Sequence, residues 1–199
     1  RVLCWALTLN PRVNGKFASQ PALYLCNHPS YLDILFAVGQ TPSVLVAADE
    51  FRSAPFIGWL GRALQTVWVR RKCPLSRSRV RETVVRKVKE GTSVFVFPEG
   101  QTTGAHAVQE VKPGLFRTAV EESLPIAFLS IRYSNPAPLY FHTMGPGFFR
   151  DWLRHAWHVL CQPQLGVVLK VSVPMFYSSP EQAQEAFYAF HQRHLRRAA

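Results

Sequence analysis

Acid is what this chain has least of: 12 Asp and Glu stand against 23 Lys and Arg, a formal net charge of +11. Cysteine is sparse too. Cys4, Cys26, Cys73 and Cys161 lie far apart and form no C-x-x-C pair, so neither a zinc site nor a disulfide framework is indicated. Two of them sit in apolar runs as small core residues, and a reducing compartment is the simpler inference. No apolar run reaches the ~18 residues of a membrane-crossing helix. The opening Val2-Leu3-Cys4-Trp5-Ala6-Leu7-Thr8-Leu9 is too short to span, yet it suits the end of a longer apolar helix. The chain starts at Arg1 rather than at a methionine, which is expected of a trimmed piece. Gly/Ser tracts, low-complexity segments and internal repeats are absent. Residues 1–199 are therefore expected to form one domain.

The positive charge has a location. Between Arg70 and Lys89 there are nine Lys/Arg residues and one acid, Glu82. From Ser76 onward Val80, Val84, Val85 and Val88 form an apolar stripe, which predicts a helix with its cations on the remaining face. That face is drawn to anionic lipid head groups or nucleic acid. It carries no interleaved aromatics for base stacking, and the chain has no zinc-finger, RNA-recognition or helix-turn-helix signature. The expectation is a membrane surface and no nucleic acid. A second candidate lies at 148–160, where Phe148, Trp152, Leu153, Ala156, Trp157 and Leu160 share a helical face, with Arg150, Arg154 and His158 elsewhere. An interfacial helix and packing on the sheet both fit. The following strand at 165–173 favours packing. His155 and His158, three apart, are expected at amphipathic surface positions rather than on a metal.

Three segments carry chemistry. In Asn27-His28-Pro29-Ser30-Tyr31-Leu32-Asp33 a histidine precedes an aspartate by five positions, directly after the apolar run 22–26, which predicts a buried strand. Pro29 suits the first helical position, so Asp33 is expected a little over one turn along a helix, leaning back toward His28. A carboxylate there bonds one imidazole nitrogen and leaves the other as a general base. The second segment, Ser93-Val94-Phe95-Val96-Phe97-Pro98-Glu99-Gly100, predicts a strand that delivers Glu99 to its C-terminal edge. If the strands are parallel neighbours, Glu99 shares a crevice with His28. The third runs from Pro55-Phe56-Ile57-Gly58 through Val67-Trp68-Val69 and ends in Arg70-Arg71-Lys72, a cluster able to hold a phosphate.

Together, in this order, the segments resemble the glycerolipid acyltransferase family that includes lysophosphatidate acyltransferases. His28 and Asp33 match its H-x4-D pair, and Phe97-Pro98-Glu99-Gly100 matches its F-P-E-G block. Pro55-Phe56-Ile57-Gly58 followed by Arg71 matches the block ending in a phosphate-binding arginine. Leu124-Pro125-Ile126 resembles a fourth block, a strand carrying a proline on the acyl-chain side. Lys112-Pro113-Gly114-Leu115-Phe116 fits the stretch between the last two. There are departures. Gln101-Thr102-Thr103 stands where the family has Thr-Arg-Ser, so an arginine facing the acceptor head group is missing. Gln65 replaces a glycine, and Arg70 replaces an aspartate before Arg71.

The resemblance implies His28 and Asp33 as catalytic residues, with Glu99, Gly100, Arg71, Arg70, Gly58, Pro98, Thr102 and Pro125 on the substrates. No metal and no cofactor is implied, since acyl-CoA or acyl carrier protein serves as donor substrate. The expected partners are a lysolipid acceptor and membrane lipids, at the cytoplasmic face. The expected reaction is direct transfer of an acyl group from the thioester to a lysolipid hydroxyl. Two other readings stay open: a serine hydrolase using Ser30 or another serine with His28 and Asp33, although no G-x-S-x-G elbow is present, and a catalytically idle basic membrane-binding or scaffold domain. Alternating strand and helix patterns predict an α/β fold, a mostly parallel or mixed β-sheet flanked by helices. The glycerol-phosphate-acyltransferase-like fold implied by the resemblance is of that type.

Overall fold

The computed structural model describes residues 11–38, 40–54, 57–103, 107–134, 148–160 and 166–195. The apolar opening 2–9, Cys4, Cys161 and the Pro55-Phe56 pair lie outside them.

Among the described residues seven strands form one sheet: β1 (Pro11–Asn14), β2 (Leu23–Cys26), β3 (Ser43–Ala48), β4 (Val67–Val69), β5 (Ser93–Val96), β6 (Ile126–Tyr133) and β7 (Val167–Val171), ordered β1-β7-β6-β2-β5-β3-β4. From β6 to β4 every neighbouring pair is parallel; β7 runs antiparallel to β6, and β1 parallel to β7. The sheet is thus mixed, with a parallel centre whose strands are buried on both faces. That is why 23–26 and 94–96 read as unbroken apolar runs rather than alternating ones.

Side chains alternate between the faces. Tyr24, Cys26, Phe95, Leu129 and Tyr133 point to one face, covered by α1 (Asp33–Val38) through Phe36 and Ala37. Leu23, Leu25, Val94, Val96 and Phe128 point to the other. There they meet α3 (Pro74–Lys89), α4 (Gly114–Glu121) and α6 (Pro180–Leu195) through Val80, Val84, Val88, Phe116, Ala119 and Phe187. The valine stripe expected of α3 is therefore its core face, and the helix starts two residues earlier than Ser76 because Pro74 occupies its first turn. The remaining helices among the described residues are α2 (Ile57–Ala63) and α5 (Phe148–Leu160).

Two boundaries differ from expectation. Helix α1 begins at Asp33, not at Pro29, because Ser30 starts the turn: its Oγ accepts the Leu32 N–H at 3.2 Å, while the Asp33 carboxylate accepts the Ser30 N–H at 2.8 Å. This reciprocal pattern is a capping box. Pro125 precedes β6 rather than sitting within it. Its carbonyl accepts the Leu23 N–H at 2.9 Å, and its missing N–H interrupts no ladder. Gln65, standing where the resemblance expects glycine, has φ 51°, a left-handed conformation that glycine adopts without cost.

The connections open a crevice. After β2 the chain turns to the face of α1; after its neighbour β5 it passes to the face of α4. Adjacent parallel strands whose continuations part to opposite faces leave a gap beyond their C-terminal ends, where α/β sheets bind ligands.

Candidate active site

His28 and Glu99 stand at that gap. In β2 and β5 the paired residues are 71 apart, as in Leu23 with Val94, and the same offset carried past the strand ends pairs His28 with Glu99. The His28 N–H donates to Glu99 Oε1 at 2.8 Å. The His28 carbonyl accepts the Thr103 N–H at 3.0 Å, so the segment after β5 holds the histidine's backbone on both sides. Phe97 lies flat on the imidazole, ring centres 3.9 Å apart and planes 16° from parallel.

The imidazole Nδ1 meets Asp33 Oδ2 at 2.8 Å; the histidine side chain is 14% exposed and the aspartate 0%. An ionised carboxylate only accepts, so Nδ1 carries the proton and Nε2 presents a lone pair. Among the described residues no protein group bonds Nε2. Burial pushes the Asp33 carboxyl above its ordinary range, opposed by His28, by the Tyr133 hydroxyl and by the Ser30 N–H. Tyr133 donates to Oδ1 at 2.5 Å, and burial holds its phenol well above the usual value, so it keeps that proton. The buried Cys26 thiol is likewise pushed up. Asp33 thus has every oxygen engaged: His28 and Ser30 on Oδ2, Tyr133 on Oδ1.

Sequence reasoning missed two residues here. Tyr133 sits 100 positions away, and only the pairing of β6 with β2 brings it to Asp33. Asn27 is buried where β2 ends; its amide donates to the Ile131 carbonyl at 2.9 Å and accepts the Ile131 N–H at 2.7 Å, standing in for backbone. A polar residue closing an apolar strand was the available signal.

The other expected site residues divide. Glu99 is buried, with both oxygens taken up by backbone: His28 N–H on Oε1 and Gln109 N–H on Oε2 at 2.9 Å. Burial pushes its carboxyl up, against the pull of those two bonds. Pro98 is buried beside it and its carbonyl accepts the Lys112 N–H at 2.9 Å. Gly100 takes φ 75° to close the turn on Phe97, a conformation that favours glycine. Thr102 follows, half-buried. Arg70 and Arg71 are exposed just past β4, on the same C-terminal edge but three strand positions from β2, roughly 14 Å along the sheet. Gly58 is buried, and a Cβ there would strike the Arg52 carbonyl, so this glycine lets α2 pack on the turn after β3. Pro125 lies at the opposite edge, roughly 20 Å from His28 by strand rise.

Two further expectations are corrected. His155 is not a solvated surface histidine; its Nδ1 meets the Tyr31 hydroxyl at 3.1 Å, beside the His28–Asp33 turn. Helix α5 does not bury its whole apolar face on the sheet, since Leu153 is 47% and Trp157 71% exposed. The side chain of His158 lies outside the described residues. Among the described residues no group of three His, Cys, Asp or Glu is placed to share a metal ion.

The family model described as Acyltransferase matches residues 10–132. The chain is 30% identical over 131 residues to the lyso-ornithine lipid O-acyltransferase of Pseudomonas aeruginosa, covering 66% of this chain and 50% of that protein. It is 32% identical over 185 residues to the human lysophospholipid acyltransferase LPCAT4, covering 89% of this chain and 33% of that one. The chain therefore spans from a third to a half of the length of these relatives. Its fold matches the crystal structure of the 1-acyl-sn-glycerophosphate acyltransferase PlsC from Thermotoga maritima, with a TM-score of 0.66 at 21% identity over 98% of this chain and 77% of that one.

Proposed function

This chain belongs to the acyltransferase family, and from that premise we propose that it moves a fatty acyl group from a thioester donor to a hydroxyl of a lysolipid. The reaction belongs to phospholipid or related membrane-lipid biosynthesis and takes place at the cytoplasmic face of a membrane. The observation that carries the reading is the His28–Asp33 pair at 2.8 Å, with Nε2 unpartnered among the described residues at the crevice beyond β2 and β5.

In this mechanism Nε2 accepts the proton of the acceptor hydroxyl as its oxygen attacks the thioester carbonyl. Asp33, locked by Tyr133 and Ser30, holds the imidazole in one tautomer and offsets the charge it acquires. The tetrahedral intermediate collapses with cleavage of the C–S bond, and the imidazolium returns the proton to the departing thiolate. An ester and a free thiol result. Glu99 fixes the backbone of His28 and keeps lone pairs for an acceptor hydroxyl. Arg71, with Arg70, receives a phosphate of donor or acceptor.

The acceptor class is a lysophospholipid or the lyso form of an aminolipid, and Gln101-Thr102-Thr103 is the stretch that sets it. The donor is acyl-CoA or acyl carrier protein. A serine-hydrolase reading built on Ser30 is disfavoured: Ser30 is fully buried, with its Oγ on Leu32 N–H and its own N–H on Asp33. The test is thiol release measured with a panel of lysolipids and both donor types. Acceptor-dependent thiol release, lowered by roughly 10²–10⁴-fold in His28→Ala with unchanged melting, supports the reading. Thiol release that ignores the acceptor, or that survives the substitution, refutes it.

A further inference from the structure

Large apolar side chains left in water on an α/β domain mark a contact surface when they gather with charge of one sign. Trp59 is 60% and Leu75 59% exposed. Trp59 lies in the first turn of α2, next to the Gly58 that abuts Arg52 just beyond β3; Leu75 lies in the first turn of α3, just beyond β4. Both are therefore at the C-terminal edge of the parallel strands, the edge that carries His28. Helix α5 reaches the same edge, because Trp152 packs on Tyr31 at 6.1 Å between ring centres and His155 meets the Tyr31 hydroxyl. Those contacts use one side of α5. Leu153 and Trp157, four residues apart, form a separate exposed stripe, with Arg150 and Arg154 also exposed beside it.

The charge at this edge is positive on balance: its acids are Asp49 and Glu50, just beyond β3, and Asp151, which pairs with Arg150. Arg62, Arg70, Arg71, Lys72 and Arg77 are all exposed, and among the described residues no carboxylate pairs with Arg70, Arg71, Lys72 or Arg77. At the other end of α3 two of the three cations are paired, Arg86 with Glu90 and Lys89 with Glu122. The chain has another exposed apolar group, Val173, Met175 and Phe176, but it sits at the N-terminal edge, where Met175 pairs with Ile126 and the exposed Glu121 and Glu122 precede β6. With Glu122 and Glu90 paired to Lys89 and Arg86, and Glu121 offsetting Lys87, these groups leave no excess of cations to draw an anionic surface.

We propose that the His28 edge lies on an anionic lipid bilayer, with Trp59, Leu75, Leu153 and Trp157 entering the head-group boundary and the cations of the β4–α3 turn and α5 facing lipid phosphates. Tryptophan, with an apolar body and a polar N–H, suits that boundary, and each nearby cation strengthens binding roughly fivefold. This rests on the lipid-acceptor reading above and adds the face through which a lysolipid enters without crossing water.

Vesicle co-sedimentation of the 199-residue chain tests it, with vesicles of equal parts phosphatidylcholine and phosphatidylglycerol against pure phosphatidylcholine. Binding to the mixed vesicles is expected to exceed binding to neutral ones and to weaken with salt. Trp59→Ala with Leu75→Ala, and Leu153→Ala with Trp157→Ala, are each expected to lower it by about tenfold or more, while Met175→Ala with Phe176→Ala leaves it unchanged. Lys72→Glu with Arg77→Glu, on exposed side chains, is expected to lower it by more than about twentyfold and gives a second measurement if an apolar variant misfolds. The three apolar pairs should keep thiol release with a water-soluble short-chain lysolipid, whereas the Lys72/Arg77 pair, beside Arg71, is read by vesicle binding alone. Equal binding to neutral vesicles, unaltered binding in the Trp59/Leu75 and Lys72/Arg77 variants, or loss confined to Met175/Phe176 would overturn the docking face. Edge-dependent binding without acyl transfer keeps the face and removes the transferase reading; transfer to the soluble acceptor without vesicle binding does the reverse.

Discussion

Glu99→Gln separates two roles that one carboxylate can play, because the substitution keeps shape and removes charge. In the structure Oε1 accepts from His28 N–H and Oε2 from Gln109 N–H, and the side chain is buried. A glutamine has one acceptor oxygen. Its NH₂ group must then face one of those two N–H groups, which leaves a buried donor unsatisfied. That costs about 1–3 kcal/mol, and the surviving bond also loses its charge assistance. For a chain of this size, where 1 kcal/mol moves the midpoint by roughly 2–4 °C, the melting temperature is expected to fall by about 4–10 °C in the absence of any substrate. With the backbone of His28 released from β5, kcat should fall while KM for the acceptor changes less. Differential scanning fluorimetry and initial-rate kinetics across acceptor concentrations read the two effects. An unchanged melting temperature together with a raised acceptor KM and an intact kcat would refute the reasoning, because it would make Glu99 a pure substrate ligand.

Tyr133→Phe removes one oxygen and leaves the ring edge-on to Phe36. The lost bond is one that favours the Asp33 carboxylate, which burial already holds above its ordinary range, so the acid limb of kcat/KM should move to higher pH by about one to two units. A limb that stays in place would show that Tyr133 does not act on the pair. His191, enclosed between the carbonyls of Phe187 and Leu129, is pushed down to about 4 by burial. The unfolded chain takes up its proton near pH 6.5 and the folded chain does not, so stability is complete above that pH and declines as pH falls toward 4, by about 3 kcal/mol. Urea unfolding across that window should flatten in His191→Gln; an identical slope in both proteins would exclude His191 as its source.

The spacing of His28 and Asp33 was readable because both partners lie within one turn of chain, and local geometry alone brings them to 2.8 Å. The apolar runs of β2 and β5 and the valine stripe of α3 were readable because burial imposes a periodicity on neighbouring residues. The start of α1 at Asp33 rather than Pro29 is less legible, because the reciprocal Ser30–Asp33 cap overrides proline's fit to a first turn. The exposure of Trp157 was also hidden: a helix shows which residues share a face, and not whether anything packs on it.

Amino-acid order by itself determined which side chains can do the chemistry, because the histidine–aspartate pair, the strand that ends in glutamate and the run of three cations are all short-range patterns. Tertiary structure alone decided where those pieces stand. Strand order puts Glu99 beside His28 and the arginines two strands beyond Glu99, and the pairing of β6 supplies Tyr133 and Ile131 from a hundred residues away. Neighbour relations between strands depend on how whole faces pack, and no local stretch of sequence encodes them.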